Sequence, residues 1–417
     1  MADVAAKRKV TVIGAGIVGM ASAVHLQRDG HDVTVVDRVP PGDGCSFGNA
    51  GIFATASMIP VSTPGLIWSV PKYLIDPLGP LSLRWSYLPR MIPWLVSFLC
   101  NGSPARMARI ADALSTLLAA SVEAHQRLAA GTGAERWIRP SPYILAYENK
   151  AAFETDRRLW EMRRQRGARY DLLDGDALRQ IEPALAHDFS FAVQLHDHGH
   201  ALDPARLVKA LAEHFLRHGG TVLERDVTDI EVGPDGPTRL LTSEGPLDID
   251  VLVIAAGAWS ARLLRPLGYR VPLESQRGYH VTIEDPGVEP RIMCFPAENK
   301  FAITPMDMGL RLGGTAEIAG LDAPPDFARA RVFLELGKRI LPGLQTAKYT
   351  EWDGHRPCTP DSLPLLGAAP RHPDLYFAFG HGHQGLLGAS NTGRVIAEVV
   401  SGRPPSIDLE PFRADRF

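Results

Sequence analysis

The first forty residues alternate between short apolar runs and a helical repeat. Residues 9–13 form a β-branched apolar run, residues 20–28 have helical character, and residues 33–36 form a second apolar run that ends at Asp37. Between the first run and the helix lies the stretch Gly14-Ala15-Gly16-Ile17-Val18-Gly19. The pattern predicts a strand, a tight turn, a helix and a second strand within about thirty residues.

Each part of this unit has a role in binding a dinucleotide. Gly14 permits the sharp turn, Gly16 lets the backbone approach a pyrophosphate, and Gly19 lets the helix pack closely on the sheet. The helix N-terminus directs free N–H groups and its positive dipole end at the phosphates. Asp37, 18 residues beyond Gly19, stands where a carboxylate accepts hydrogen bonds from ribose hydroxyls. An ordinary βαβ turn would leave this acid unexplained, and the pattern alone does not separate FAD from NAD.

Two later segments repeat the order of strand, small-residue turn and helix. One is the hydrophobic run at 250–255, which leads to Gly257; the other is the run at 375–379, which leads to Gly380-His381-Gly382-His383-Gln384-Gly385 and a helix that ends at Val400. An apolar strand of this kind is buried in a sheet. We therefore expect distant strands to rejoin the first sheet, which makes the nucleotide-binding domain discontinuous.

Composition narrows the class of protein. A chain of 417 residues favours two domains, and 45% apolar with 22% charged residues is ordinary for a globular protein. The net charge of −3 gives no reason to propose a nucleic-acid partner. Four scattered cysteines lack metal-like spacing, and residues 1–8 lack the apolar core of a secretory signal. We expect reduced thiols and a cytoplasmic protein.

Residues 60–100 are rich in proline and aromatic residues. Within 83–99, Pro89 and Pro93 predict that the segment does not form one straight helix. The favoured interpretation is a packed segment between domains. The alternative is an interfacial anchor, with Trp and Leu among lipid headgroups, which would place the protein peripherally on the inner face of the cytoplasmic membrane.

Three histidines occur within five residues, at His196, His198 and His200. On an extended segment they would share one side, but no second cluster completes a tetrahedral metal site. We expect a turn before the next helix here, and no metal.

The spaced motifs together resemble those of the FAD-dependent D-amino-acid dehydrogenases, within the wider superfamily of D-amino-acid, glycine and sarcosine oxidases. The resemblance covers nearly the whole chain. Its landmarks are Val12-Ile-Gly-Ala-Gly-Ile-Val-Gly19, Cys45-Ser-Phe-Gly-Asn-Ala-Gly51, Ile254-Ala-Ala-Gly-Ala-Trp259, Gly354-His-Arg-Pro-Cys-Thr-Pro-Asp361 and Gly380-His-Gly-His-Gln-Gly385.

The resemblance implies an α/β fold of two domains: a discontinuous Rossmann-like FAD-binding domain, and a substrate domain with helices and a mostly antiparallel sheet over the flavin. We assign residues 1–65, 195–265 and 350–417 to the first domain, and 66–194 and 266–349 to the second. No cysteine or histidine matches a covalent attachment point convincingly, and Cys358 does not coincide with the cysteine of sarcosine oxidases. We therefore expect non-covalent FAD.

The cofactor contacts implied by the resemblance fall into four groups. The pyrophosphate turn is followed by residues for the ribose and adenosine, then by a second cofactor loop, and finally by the turn along the flavin pyrimidine ring. The residues are Gly14, Ala15, Gly16, Ile17, Val18, Gly19, Asp37, Arg38, Ser46, Asn49, Ala50, Gly51, Val227, Gly257, Gly380, His381, Gly382, His383, Gln384, Gly385 and Leu386.

Three residues are candidates for contact with the substrate. Arg356 is the expected clamp on the α-carboxylate, since a guanidinium grips a carboxylate with two hydrogen bonds; a structural salt bridge is the alternative. Tyr279 is expected to wall the pocket with its hydroxyl near the carboxylate, or else to pack in the core. His383 either faces the substrate or tunes the flavin edge.

The resemblance implies amino-acid catabolism by oxidation of a D-amino acid, with electrons passed to a quinone or another carrier. Neutral D-amino acids, D-proline and 4-hydroxy-D-proline remain open as substrates. One alternative is an oxygen-dependent oxidase of glycine, sarcosine or another secondary amine. A further alternative is a flavin-carrying subunit that works with partner subunits.

Overall fold

The computed structural model describes residues 7–234 and 236–417. Its strands, in chain order, are β1 (Lys9–Ile13), β2 (Asp32–Asp37), β3 (Ile52–Ala54), β4 (Leu81–Leu83), β5 (Ile138–Pro140), β6 (Tyr143–Tyr147), β7 (Tyr170–Asp174), β8 (Phe191–Leu195), β9 (His198–Ala201), β10 (Thr221–Glu224), β11 (Val227–Gly233), β12 (Gly236–Thr242), β13 (Gly245–Asp248), β14 (Val251–Ile254), β15 (Glu274–Ile283), β16 (Met293–Pro296), β17 (Ala302–Met306), β18 (Gly309–Gly313), β19 (Ala316–Ile318), β20 (Tyr349–Cys358), β21 (Leu365–Ala368) and β22 (Leu375–Phe379). The α-helices are α1 (Ile17–Arg28), α2 (Leu66–Ile75), α3 (Leu88–Asn101), α4 (Pro104–Leu117), α5 (Ser121–Ala129), α6 (Lys150–Gln165), α7 (Gly175–Ile181), α8 (Pro204–Arg217), α9 (Ser260–Leu264), α10 (Ala328–Ile340) and α11 (Gly385–Val400).

A six-stranded sheet holds the glycine-rich turn. Its strand order is β10-β2-β1-β14-β22-β21, and only the edge strand β21 runs antiparallel to its neighbour. Helices α1, α8 and α11 contribute buried apolar residues to the core on one face. Strands from opposite ends of the chain lie side by side, because β14 and β22 continue the sheet that β1 and β2 begin. The predicted Rossmann-like, discontinuous fold is confirmed.

A ten-stranded sheet forms the second layer. Its path is β4-β19-β15-β18-β17-β16-β6-β8-β7, and β20 also pairs with β15. All pairs are antiparallel except β16 with β6 and β19 with β4. Apolar residues of α10 pack on one face through Phe333, Leu336 and Ile340. The mostly antiparallel second sheet is therefore as predicted.

Two segments depart from the predicted domain boundaries. Strand β20 falls almost wholly within 350–417, which was assigned to the first domain. It nevertheless pairs with β15 along ten residues, so that Glu274 lies opposite Cys358 and Ile283 lies opposite Tyr349. Strand β20 therefore belongs to the large sheet. Helices α4 and α5 fall within 66–194, yet Leu117 packs near Leu387 of α11, and Val122 joins the core under the six-stranded sheet. Packing partners, and not chain position, decide which layer these elements join.

Residues 83–99 do not form one straight helix, since Leu83 ends β4 and residues 85–87 form a short 3-10 helix, but residues 88–101 form the single helix α3, which contains Pro93. Pro89 lies in the first turn, where its missing N–H has no intrahelical partner to lose. At Pro93 the helix lacks one hydrogen bond, the one that an N–H would have donated to the carbonyl of Pro89 near the start of the helix. Tertiary packing of Met91, Trp94 and Phe98 then holds the helix in place.

The histidine-rich segment is a bend at residues 196–197 followed by a strand, and not a turn throughout. β9 contains His198 and His200, and it pairs with β3 and β5 in a three-stranded sheet. Within 7–234 and 236–417, no three His, Cys, Asp or Glu side chains are grouped as metal ligands. Over the same described ranges, none of the helices has both the length and the apolar character needed to cross a bilayer.

Candidate active site

A cavity of about 950 Å³ lies between the two large sheets. Its floor includes Gly14, Asp37, Ala255 and Gly380, which end or directly follow β1, β2, β14 and β22. Ligands of doubly wound folds bind at this carboxyl end of the parallel strands. Residues of β15, β18 and β20 form the opposite wall.

The glycine turn is held by close backbone contacts. Gly14 has a φ of +114°, and a Cβ there would lie 2.3 Å from the carbonyl oxygen of Ala255. A Cβ on Gly19 would lie 1.8 Å from the carbonyl oxygen of Gly14. Gly14, Gly16, Ile17 and Val18 line the cavity, whereas Ala15 and Gly19 do not and instead shape the turn.

Asp37 and Ser46 hold the turn from either side. The Oδ2 atom of Asp37 accepts a 2.7 Å hydrogen bond from the Ala15 N–H, and the Ser46 hydroxyl accepts one of 2.9 Å from the Ile17 N–H. Both residues border the cavity. Arg38 lies beside them, with its guanidinium carbon 4.0 Å from the centre of the Trp259 ring.

Most of the predicted cofactor residues outside the glycine turn and the α11 turn line the same cavity. Val227 and Gly257 line it, as do Asn49 and Ala50 of the second loop. Gly51 does not line it; its φ is +77°, and a Cβ would come within 2.9 Å of the Ala201 carbonyl oxygen. Gly51 therefore allows the loop to adopt its backbone conformation close to Ala201.

The turn before α11 borders the same cavity at the carboxyl end of β22. The cavity-lining residues of this turn are Gly380, His381, Gly382, His383, Gly385 and Leu386. His381 is buried, its Nε2 lies 2.9 Å from the Thr392 hydroxyl, and burial lowers its pKa to about 3. Gln384 does not reach this cavity. Its amide donates to the Ser57 carbonyl at 2.6 Å and fastens the turn, which corrects its expected cofactor contact.

Arg356 presents a guanidinium to the cavity from β20. Its Nη1 donates to the Thr315 carbonyl at 2.8 Å, and no carboxylate of the described residues lies within ion-pair distance of it. The guanidinium lies against Gly278, where a Cβ would be 2.1 Å from Nη2. Burial lowers the pKa of Arg356. The arrangement leaves a desolvated cation without an anion, which is the state expected of a carboxylate receptor.

For Tyr279 the structure favours core packing, the second of its two expected roles. It borders the cavity, but its hydroxyl donates to Oε2 of Glu317 at 2.6 Å and accepts the Asp326 N–H at 2.8 Å. Its ring packs with Phe327 and the core under α10. Successive side chains of a strand face opposite sides, so Gly278 and His280 take the cavity side. Tyr279 is therefore a core residue, and its hydroxyl is not free for a substrate carboxylate.

His383 lines the cavity, and its side chain is exposed there. Burial in the site and the positive charge of Arg356 lower its pKa to about 4. The imidazole is consequently neutral at neutral pH. A neutral ring near Arg356 adds no repulsion against a bound amine.

Trp352 is a cavity residue that the sequence did not reveal. Its indole lies over Gly48 and Gly354, since a Cβ on either would fall 2.0 Å from the ring, and it stacks on His280. The contact with Gly48 joins residues about three hundred positions apart, so no local pattern marks it. Gly48 and Gly354 both belong to the landmark motifs, but the sequence alone did not show that they make room for the Trp352 indole.

The residues of this cavity fit FAD. The glycine turn makes room for a pyrophosphate beside the α1 N-terminus, Asp37 ends β2 where the ribose belongs, and the volume suits a large ligand.

Comparison with known proteins agrees with this geometry. Residues 9–399 match the DAO family, described as FAD dependent oxidoreductase. The chain is 39% identical over 417 residues to a D-amino-acid oxidase of Bradyrhizobium diazoefficiens, an alignment that covers 98% of this chain and 99% of the relative. It is 34% identical over 419 residues to a D-amino acid dehydrogenase of Paramagnetospirillum magneticum, with 98% and 99% covered.

Solved structures share the fold. The glycine oxidase of Geobacillus kaustophilus superposes with a TM-score of 0.76 at 23% identity, covering 99% of this chain and 100% of the other. The L-proline dehydrogenase of P. horikoshii gives 0.75 at 20% identity, covering 99% and 98%. The chain therefore belongs to the DAO family of FAD-dependent oxidoreductases, and its reaction is the FAD-dependent oxidative deamination of an amino acid at a CH–NH2 group.

Proposed function

We propose that the enzyme oxidises D-amino acids and that Arg356 binds their α-carboxylate. The observation that carries the proposal is the guanidinium of Arg356, which faces the cavity and has no carboxylate partner among the described residues. Relatives at 34–39% identity are named D-amino acid dehydrogenase and D-amino-acid oxidase, which supports the D configuration.

The chain's own residues orient the substrate for the reaction. Bound FAD supplies the acceptor for the hydride that leaves the substrate Cα. Arg356 fixes one end of the amino acid, and its attachment to the Thr315 carbonyl limits the directions from which a carboxylate can approach. His383, neutral at neutral pH, offers a ring nitrogen that accepts a hydrogen bond from the free amine. The imino acid then adds water and releases ammonium and a 2-oxo acid.

An anaerobic panel of D- and L-amino acids tests the proposal. We expect neutral D-amino acids to bleach the flavin absorbance of the purified chain within one turnover, while their L enantiomers leave it unchanged. The panel includes D-proline and 4-hydroxy-D-proline, which decide between an acyclic and a cyclic substrate. Bleaching only by glycine or sarcosine would replace the proposal with a glycine or secondary amine oxidase. A chain that no amino acid reduces would point to a flavin-carrying subunit that needs partner subunits.

We further propose that reduced enzyme passes electrons to a lipid-soluble quinone and not to oxygen, at a membrane surface. Of the eleven exposed large apolar side chains in the described ranges, seven lie between residues 61 and 96: Val61, Ile67, Trp68, Ile75, Trp85, Ile92 and Val96. We call these seven the 61–96 surface. Trp68 is 85% exposed and Trp85 67%, and α2 has no buried residue.

The charge and position of the 61–96 surface favour an anionic bilayer with a lipid-soluble acceptor. Exposed Lys72, Arg84 and Arg90 accompany it, with Asp76 the one acid between residues 61 and 101. Tryptophan with basic residues is typical of interfacial helices. Val61 also borders both the main cavity and a small cavity that His383 shares, so the surface adjoins the active site.

Vesicle sedimentation tests this membrane contact. We expect the holoenzyme to sediment with phosphatidylglycerol vesicles at low salt, and to bind phosphatidylcholine vesicles much less. Trp68→Ser with Trp85→Ser should lower the binding constant by about tenfold or more, since each buried tryptophan contributes roughly 1–2 kcal/mol. Leu172→Ser, at another exposed apolar residue, is the control and should bind normally. Equal binding by the double variant and the control would remove the 61–96 surface from the proposal.

A hydrogen peroxide assay in air separately distinguishes an oxidase from a dehydrogenase.

A further inference from the structure

The second cofactor loop is held by its carbonyl groups. Four consecutive residues, Phe47, Gly48, Asn49 and Ala50, each have a backbone carbonyl in a hydrogen bond to a side chain of the large sheet. Arg311 Nη1 donates to the carbonyls of Phe47 at 3.0 Å and Asn49 at 2.7 Å. The Thr304 hydroxyl donates to that of Ala50 at 2.9 Å, and His280 Nδ1 lies 3.1 Å from that of Gly48.

The three donors stand together on one face of that sheet. Arg311 pairs in register with Thr282 of β15 and Thr304 of β17, and its Nε donates to the Thr282 hydroxyl at 3.1 Å. His280 is two residues from Thr282 on the same strand, so it shares the face. The sheet therefore offers a preformed row of polar groups to a loop from the other layer.

Arg311 is also an unusual buried cation. It is 3% exposed, borders the cavity, and has no carboxylate within ion-pair distance among the described residues. Burial lowers its pKa to about 10, so it stays protonated at neutral pH. Buried charges are normally neutralised by a partner. Here the compensation comes from the carbonyl dipoles of the loop and from the more distant charge of Asp203, which raises the pKa of Arg311 against the effect of burial.

The loop in turn shapes the cofactor site. Ser46, Asn49 and Ala50 line the cavity, and the Ser46 hydroxyl accepts the Ile17 N–H at the start of α1. Because all four carbonyls are bound to the sheet, the sheet fixes which atoms of residues 46–50 border the cavity. A shift of this loop would therefore change its own cavity-lining residues and also, through Ser46, the pyrophosphate turn.

We propose that Arg311, with Thr304 and His280, is a positioning cluster that holds residues 47–50 in the conformation that binds FAD, so that the substrate sheet controls cofactor affinity. None of the three needs to touch the reacting atoms. The proposal concerns binding of the cofactor, and it stands whether the substrate is a D-amino acid or another amine.

The release of FAD from the holoenzyme tests the proposal. We expect Arg311→Met to raise the Kd for FAD, measured from flavin fluorescence on dilution, by about 10- to 100-fold, as loss of hydrogen bonds to a charged group predicts. Arg311→Lys keeps the charge but loses the Nε hydrogen bond to the Thr282 hydroxyl that orients the side chain, so its Kd for FAD should fall between those of the parent and Arg311→Met. Thr304→Val removes one hydrogen bond and should raise the Kd by about three- to tenfold.

The matched control is Arg329→Met. Arg329 also donates to backbone carbonyls of a loop, those of Pro77 and Gly79, but it does not line the cavity. Its loss should lower the thermal midpoint while leaving the Kd for FAD unchanged. Amide exchange over residues 45–51 should rise in the Arg311 variants and not in the control.

A merely structural role for Arg311 would give a different pattern. Arg311→Lys and Thr304→Val with a lowered thermal midpoint, but with a Kd within twofold of the parent, would overturn the proposal. Should Arg311→Met fail to fold, Thr304→Val alone decides, because a hydroxyl-to-methyl change at one edge of the cluster leaves the guanidinium in place.

Discussion

Arg356→Ala is expected to raise the KM for a reactive D-amino acid by about 10²- to 10³-fold. The desolvated guanidinium offers two parallel hydrogen bonds to a carboxylate, and loss of such a contact costs several kcal/mol. The same carboxylate also aligns the Cα–H with the flavin, so kcat should fall as well. Steady-state kinetics with saturating artificial acceptor give both constants.

Two further variants separate the role of the planar, two-pronged guanidinium of Arg356 from the role of its positive charge. Arg356→Lys keeps a cation but not the planar fork, so most of the KM defect should persist. Arg262→Ala removes an exposed cavity-lining arginine that is paired with Asp322, and KM should remain near the parent value. A near-normal KM for Arg356→Ala would remove Arg356 from the substrate site while leaving the FAD-binding fold intact.

The nucleotide-binding half was predictable because its signals are local. Gly14, Gly19 and Asp37 fall within one strand-turn-helix-strand unit, and the contacts that require glycine join neighbours such as Gly19 and Gly14. The later strands were recognised for the same reason, since each carries its own turn. Only the pairing partners had to be inferred.

The substrate wall was less predictable because it depends on strand register. Gly278 and Tyr279 are adjacent in sequence, yet they face opposite sides of β15, and a change of one position reverses the side. The sequence indicated a pocket near these residues but could not choose between their faces. The pairing of Gln276 with Arg356 fixes that choice.

Contacts between strands far apart in sequence account for the remaining features that the sequence did not predict. Strand β20 joins the large sheet through β15, although its chain position suggested the other domain. Arg311 and Trp352 serve loop residues more than 250 positions away, and neither lies in a recognisable motif. Such long-range partners leave no periodic trace in the sequence.

Gly278→Ala should nearly reproduce the loss of Arg356 without removing it. The new Cβ would stand 2.1 Å from Nη2 and 2.3 Å from Cζ of the Arg356 guanidinium, so the guanidinium must leave its place on β15. We expect KM to rise by about 10²-fold, since the displaced side chain no longer meets the carboxylate at the right distance and angle. Gly278 has no positive φ, so alanine strains no backbone there.

The stability of Gly278→Ala distinguishes displacement from unfolding. The atoms that must yield belong to the end of a flexible side chain, so the free energy of unfolding should change by about 1 kcal/mol or less. Gly44→Ala is the matched control, because Gly44 lines the same cavity and a Cβ there meets nothing within 4 Å. In the Gly278→Ala, Arg356→Ala double variant, KM should equal that of Arg356→Ala alone, since both changes act through one guanidinium. Additive effects in the double variant would mean that Gly278 contributes to the site independently of Arg356, and the proposed seating of the guanidinium on β15 would be wrong.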